Sequence, residues 1–207
     1  MIPSVFTWNA SDILAYENKM NMGRPGVVAQ RHANFIVQKS DLIIAIGTSL
    51  DNVLTAYNPT NFAPNAKKVF VNIDEHQLTF CDIPNIIKVH SSAKDFLADL
   101  DVILSENKIK NYDEWIISCN SLKRRFENDF PTKTNDNSQI SHRDFVLELS
   151  DALNDNQIIA TGSSGLAIEA FYMMFRNKPG QKFFLTSGLG SMGFGLPQSI
   201  GIAIENP

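Results

Sequence analysis

The sequence predicts an α/β protein: a parallel sheet flanked by helices, followed by a second α/β unit with fewer strands. Two runs, LIIAIG at 42–47 and VFVNID at 69–74, are short, continuous and rich in β-branched residues, as strands buried on both faces of a parallel sheet are. Helical patterns alternate with these strands, which implies parallel pairing through right-handed crossovers. Past residue 140 the alternation of helix and strand begins again.

The elements follow in order. After the break Gly23-Arg24-Pro25-Gly26, residues 27–39 place Val28, His32, Phe35 and Ile36 at helical intervals. The first strand comes next, then a loop over 48–64 with Asn and Pro, then the second strand ending at Asp74. A short strand is expected at 86–89, after Pro84. Ser92, with Asp95 three residues on, starts a helix to about Leu104 in the manner of a capping box. Helical residues over 112–127 lead to PTKTNDNSQ at 131–139, a polar, structure-breaking stretch that reads as a linker. Ser141, with Asp144 placed for capping, opens a helix to about Leu153. The strand QIIAT, the turn GSSG, a helix over 166–176, the strand KFFLT and a glycine-rich segment follow. Phe171, Tyr172 and Phe175 fit the buried face of that helix. Two strands are too few for a self-sufficient sheet, so this second unit reads as truncated.

Bulk properties exclude several function classes. With 207 residues, 43% of them hydrophobic and 19% charged, and a formal net charge of −4, the chain has an ordinary globular make-up and no basic footprint for nucleic acid. The N-terminus lacks the pattern of a signal peptide, and no apolar run approaches the ~20 residues of a membrane span. Cys81 and Cys119 stand far apart, outside any metal-ligand spacing, and read as reduced thiols. His32, His76, His90 and His142 lie on different elements with no i,i+4 pairing, so no metal is assigned to them. A cytoplasmic protein without nucleic-acid or membrane partners is expected.

The chemistry concentrates near residue 190. TSGLGSMGFGLPQSIG, at 186–201, holds five of the chain's eleven glycines. Such a cluster marks tight turns or a close approach to another surface. An earlier turn, Gly162-Ser163-Ser164-Gly165, also follows a strand. Ligands in open parallel sheets bind outside the carboxyl ends of strands, so both turns point to one edge, where small residues at a helix N-terminus suit a phosphate. On pattern alone, plain strand-to-helix turns account for both equally well.

The wording of these segments goes further. GLGSMGFGLPQSIGIAIENP resembles the opening of the cofactor-binding domain of thiamine diphosphate-dependent enzymes, the acetolactate synthase group in particular. TGSSGLAIEAFYMMFRNKPGQKFF resembles that family's first diphosphate-side turn and helix. GRPGVVAQRHANFIVQKSDLIIAIGTSLD and NFAPNAKKVFVNIDEHQL resemble the second half of its central domain. The resemblance implies a Rossmann-like (DHS-like) sheet over residues 1–106, a helical segment and linker over 107–140, and over 141–207 the start of a pyrophosphate-binding domain. It implies that Gly162, Ser163, Ser164 and Gly165 face the diphosphate, with Gly188, Gly190 and Met192 at the cofactor's rings. The Gly190 carbonyl would accept from the 4′-amino group and the Met192 side chain would wedge between the two rings, a role for a bulky, flexible apolar group. Met192 taken alone would read as a core methionine.

The same resemblance implies what these 207 residues do not carry. The family's activating glutamate belongs to its first domain, and its Mg²⁺ ligands belong to a GDG…N motif; neither occurs here. The chain is therefore expected to be a fragment, from about the second strand of the central domain to just before the metal motif, and inactive by itself. Two departures stand inside it. Gly165-Leu166 replaces the Gln-His of acetolactate synthases in the diphosphate turn. Thr48-Ser49-Leu50-Asp51-Asn52 replaces their Arg-Phe-Asp-Asp-Arg loop for FAD; only Asp74 keeps a nucleotide-binding placement, and a helix N-cap explains it equally well.

The implied function is part of a thiamine diphosphate- and Mg-dependent carboligase or decarboxylase of 2-keto acids, a homo-oligomer, with FAD a weak expectation. A non-catalytic Rossmann-like nucleotide-binding or scaffold domain is the alternative. Without further contacts, residues 187–207 are expected to be poorly ordered or to pack non-natively, leaving Met192, Phe194, Leu196 and Ile200 exposed.

Overall fold

The computed structural model describes residues 2–107, 111–127, 140–162, 164–186 and 188–206. The expected linker at 131–139 and Ser163 lie outside the described residues.

The first unit is a three-stranded parallel sheet in the order β1-β2-β3: β1 Leu42–Ile46, β2 Lys67–Asn72 and β3 Ile86–His90. Register pairs Ile44 with Val69 and Val69 with Ile87. Both runs become strands, but burial is concentrated in the central one: Phe70 and Val71 are fully buried with Ala45 beside them, while Ile43, Ile44 and Ile46 are half-buried, and Ile73, expected within the second strand, lies past its end and is exposed. Helices flank the sheet: α1 Arg31–Lys39, α2 Glu75–Phe80 and α3 Ala93–Glu106. The core between them gathers Val37, Leu50, Phe62, Phe70, Leu78 and Ile83. Ser92 caps α3, its hydroxyl accepting from the Asp95 amide at 3.1 Å and donating to the Asp95 carboxylate at 2.7 Å. The N-cap half of the expected capping box thus forms, while the Asp95 carboxylate takes the Ser92 hydroxyl.

Helix α1 starts four residues later than the apolar spacing predicts. Gly26 has φ +126°, and the Asn34 side chain bonds both its N–H and its carbonyl at 2.9 Å, so the backbone before Gln30 is tied into a loop. Periodicity placed the helix, and side-chain hydrogen bonds set its start. Of the expected apolar face, His32 and Ile36 are buried, while Phe35 is half-exposed and stacks on Phe126 of α4, Asp113–Glu127.

The second unit contains α5 His142–Ala152, the strands β4 Ile158–Ala160 and β5 Lys182–Phe184, and a helix that runs as a π-helical stretch, Leu166–Ala170, into α6 Phe171–Met174. The two strands pair in parallel, Ile159 opposite Phe183. Phe171, Phe175 and Phe183 pack together with Val146 from α5, so the aromatic face of the helix is core, as its spacing predicts. The glycine-rich segment ends in α7, Gly195–Glu205. A helix forms there and packs against β4, while Met192, Phe194, Leu196 and Ile200 stand exposed as expected.

Sequence periodicity did not foresee how the units join. Residues 4–24 run beside themselves, with Ser4 bridged to Asn21, and then pack on the second unit. The Asp12 carboxylate accepts from the Phe183 amide at 3.1 Å, the Tyr172 hydroxyl donates to the Phe6 carbonyl at 3.1 Å, and Trp8 stacks on Tyr172 with ring centroids 4.3 Å apart. Arg24, 3% exposed, donates to the carbonyls of Tyr172 at 2.6 Å and Phe175 at 3.0 Å.

Candidate functional site

Parallel pairing of β4 and β5 carries their carboxyl ends to one edge. The Thr161 amide donates to the Phe184 carbonyl at 3.1 Å, which sets the turns after the two strands side by side. The first turn enters the π-helical stretch, where the Ile168 amide donates to the Ser164 carbonyl at 2.9 Å. The second leads through Gly190 and Gly193, at φ +61° and +78°, into α7. Those two angles belong to the left-handed region, where a side chain would be strained, so glycine is required for the path itself.

The closest contact at this edge is backbone on backbone. A Cβ placed on Gly195 would stand 3.0 Å from the Gly162 Cα, 3.3 Å from its nitrogen and 3.4 Å from the Thr161 carbonyl oxygen. Only a hydrogen fits between the first turn of α7 and the 162 turn. The two glycine-containing segments therefore meet at Gly162 and Gly195, and of these two Gly195 was not among the expected site residues.

The other expected residues lie around that junction in different states. Gly188 and Gly193 are open, with no atom within 4 Å of where a Cβ would stand, and the Gly190 position is reached only by the Thr186 carbonyl oxygen at 4.0 Å. Met192 is 96% exposed and its neighbour Leu189 99%. A core methionine would be covered; this one projects. Ser164 and Gly165 are exposed at the head of their helix, and Ser163 lies outside the described residues.

Three further polar groups gather at the same strand ends and went unread in the sequence. Thr161 Oγ1, Thr186 Oγ1 and Gln198 Oε1 are buried with no hydrogen-bond partner among the described residues. Buried polar atoms are almost always paired, so orphans at one sheet edge mark a place for a ligand or water. The signal available for Gln198 was its polarity inside the otherwise apolar LPQSIGIAI. Thr161 and Thr186 carried none beyond their place at strand ends.

The edge fits the organic part of thiamine diphosphate: open backbone at Gly188 and Gly190, a projecting apolar side chain at Met192, a cradle at 162 and 195 with no room for a Cβ, and orphaned polar atoms. Among the described residues no group of three His, Cys, Asp or Glu side chains could hold a metal ion. No described helix is long and apolar enough to cross a membrane.

At the first sheet's edge, Asp74 acts as the N-cap of α2, its carboxylate accepting from the His76 amide at 2.9 Å. Cys81 and Cys119 are both free thiols, and burial pushes Cys119 up to about 11. His32 is buried, with Nε2 unpartnered among the described residues, and desolvation together with Lys123 pulls it down to about 4.

Fold and edge together define a class, and comparison with known proteins states it. Residues 1–100 match the family described as "Thiamine pyrophosphate enzyme, central domain". Over its whole length the chain is similar to acetolactate synthase large subunits, and its first hundred residues carry the match to the central domain of thiamine pyrophosphate enzymes. It is 32% identical over 210 residues to the acetolactate synthase isozyme 1 large subunit of Escherichia coli (strain K12), covering 100% of this chain and 35% of that protein. It is 27% identical over 221 residues to a probable acetolactate synthase large subunit of Methanococcus aeolicus, covering 100% of this chain and 36% of the relative. A probable large subunit from Methanocaldococcus jannaschii is 29% identical over 217 residues, with 100% and 35% covered. The chain thus spans about a third of the length of these relatives.

Proposed function

We propose that this chain supplies part of the thiamine diphosphate site of an acetolactate synthase-like carboligase that acts on 2-keto acids. The observation that carries the reading is the Gly162–Gly195 junction, which seats the glycine-methionine segment beside the turn expected to face the diphosphate. When bound, thiamine diphosphate supplies a carbon nucleophile that no protein side chain can provide. The chain's own residues bind and orient. The turn that runs from Gly162 to Gly165 would face the diphosphate at a helix head, where the dipole favours an anion. The Gly190 carbonyl would accept from an amino group of the cofactor, and the exposed Met192 side chain would lie against its rings. Mg²⁺ ligands are assigned to no residue of this chain, and the reading extends to a cytoplasmic homo-oligomer in which exposed apolar residues such as Leu196 and Ile200 are covered.

Calorimetric titration with thiamine diphosphate and Mg²⁺ tests the reading. Binding is expected for the chain, with at least about a tenfold loss in Met192→Ala and in Gly195→Ala. Unchanged affinity in both variants, or no binding at all, removes the assignment. The non-catalytic nucleotide-binding alternative predicts the reverse preference, with a plain nucleotide bound and thiamine diphosphate ignored.

A further inference from the structure

A pocket of about 310 Å³ opens at the carboxyl end of β1, away from the glycine edge. Trp8, Asn9, Thr7, Thr48, Ser49 and Asp51 give it its chemistry, and no lysine, arginine or histidine lines it. We propose that this pocket takes a small, uncharged, hydroxyl-bearing ligand and does not take FAD.

The case against a flavin dinucleotide rests on charge and on occupied side chains. A diphosphate leaving water needs cations or a set of free amides, and the one ionised group lining this pocket is the carboxylate of Asp51. Arg24, next to the lining residue Pro25, is spent elsewhere: its guanidinium is buried against the carbonyls of Phe171, Tyr172 and Phe175. The volume also sits at the low end for ligand pockets, small for two ring systems joined by a diphosphate.

The same lining suits a neutral polyol or nucleoside. Trp8 rests by stacking on Tyr172, a fixed aromatic wall for an apolar ring face. The Asp51 Oδ1 already accepts from the Leu54 amide at 2.9 Å, which holds the side chain in place, while Oδ2 receives no hydrogen bond from a described residue. Thr7 and Thr48 meet only through a long 3.4 Å contact between their hydroxyls, which a ligand hydroxyl can replace with shorter ones. The inference is independent of the thiamine diphosphate reading.

The test titrates the chain with adenosine, D-glucose, ADP and FAD, following heat and tryptophan fluorescence, to which Trp8 is one of two contributors. Adenosine or glucose is expected to bind and alter the fluorescence, with ADP and FAD at least about tenfold weaker. Asp51→Asn keeps an oxygen for the Leu54 amide, so the loop survives. It is expected to weaken the neutral probe about fivefold while narrowing its advantage over ADP. ADP or FAD binding as tightly as the neutral probes overturns the proposal. So does the failure of both neutral probes, or neutral binding indifferent to Asp51→Asn.

Discussion

Arg24 donates to the Tyr172 carbonyl at 2.6 Å while its guanidinium lies 5.5 Å from the centre of the same residue's ring. One cation thereby serves the carbonyl end of α6 and the aromatic side chain that α6 presents. Helix C-termini leave carbonyls unpaired and carry partial negative charge, which explains why an arginine with no carboxylate partner among the described residues can be buried here. Desolvation still costs it, and lowers its pKa from the ordinary value to about 10.

Replacing Arg24 by Met keeps most of the volume and takes the guanidinium donor from the carbonyls of Tyr172 and Phe175, while the Phe171 carbonyl keeps the Phe175 amide at 2.9 Å. The expected loss is about 2–5 kcal/mol in urea unfolding. A change under about 0.5 kcal/mol would show that water takes over those carbonyls and that the arginine adds nothing.

His32 gives the protein an acid sensitivity with a definite sign. Its pKa falls from 6.5 unfolded to about 4 folded, so the folded state binds the proton less readily. The stability it contributes is complete above pH 6.5 and is lost as pH falls toward 4, by up to about 3 kcal/mol. Urea midpoints between pH 7 and 4 should show this slope, and His32→Phe should flatten it. An equal slope in the variant would assign the acid sensitivity to other groups.

Two glycines in one segment should respond oppositely to alanine. At Gly195 the new Cβ would meet Gly162 backbone at 3.0 Å, and neither helix nor turn can yield cheaply, so a loss of about 1–3 kcal/mol is expected. At Gly188 nothing lies within 4 Å, and the same substitution should be neutral or stabilising by up to about 1 kcal/mol. Thermal unfolding of the two variants settles whether α7 is seated on the 162 turn.

The 207-residue chain, given pyruvate, thiamine diphosphate, Mg²⁺ and FAD, should form no acetolactate. The expectation follows from the family resemblance, which assigns neither the activating glutamate nor the Mg²⁺ ligands to any of these 207 residues. Steady acetolactate production by the purified chain would overturn this and the role assigned to those groups.

The legible part of the fold was the part governed by local pattern. LIIAIG and most of VFVNID lie in β1 and β2, as continuous apolar runs of strand length suggest, and Ser92 and Ser141 cap helices where their spacing put them. Helix α1 shows the limit: whether the chain is helical at Val27 depends on Asn34 reaching back to Gly26, a contact no periodicity encodes. The site followed the same division. Turns at 162 and 190 were readable as glycine words, whereas the orphaned Thr161, Thr186 and Gln198 and the seating of Gly195 on Gly162 exist only once two strands are paired. Arg24 was visible merely as part of a break, because its partners stand about 150 residues away and are backbone atoms, which carry no residue signature.

The packing of residues 4–24 on α6 and β5 sets an order for assembly. The bonds from Phe6 to Tyr172 and from Asp12 to Phe183 close loops of more than 160 residues, among the slowest contacts a chain can make. During synthesis at ~5–20 residues per second, the early segment emerges roughly 8–30 s before its partners. Through that interval Phe6 and Trp8 have no Tyr172 to cover, and the three-residue strands β4 and β5 are too short to pair unaided when they arrive. The nascent chain therefore exposes a sticky stretch for as long as the interval lasts. A chaperone that holds it, rather than faster pairing downstream, is what would raise the yield of folded protein.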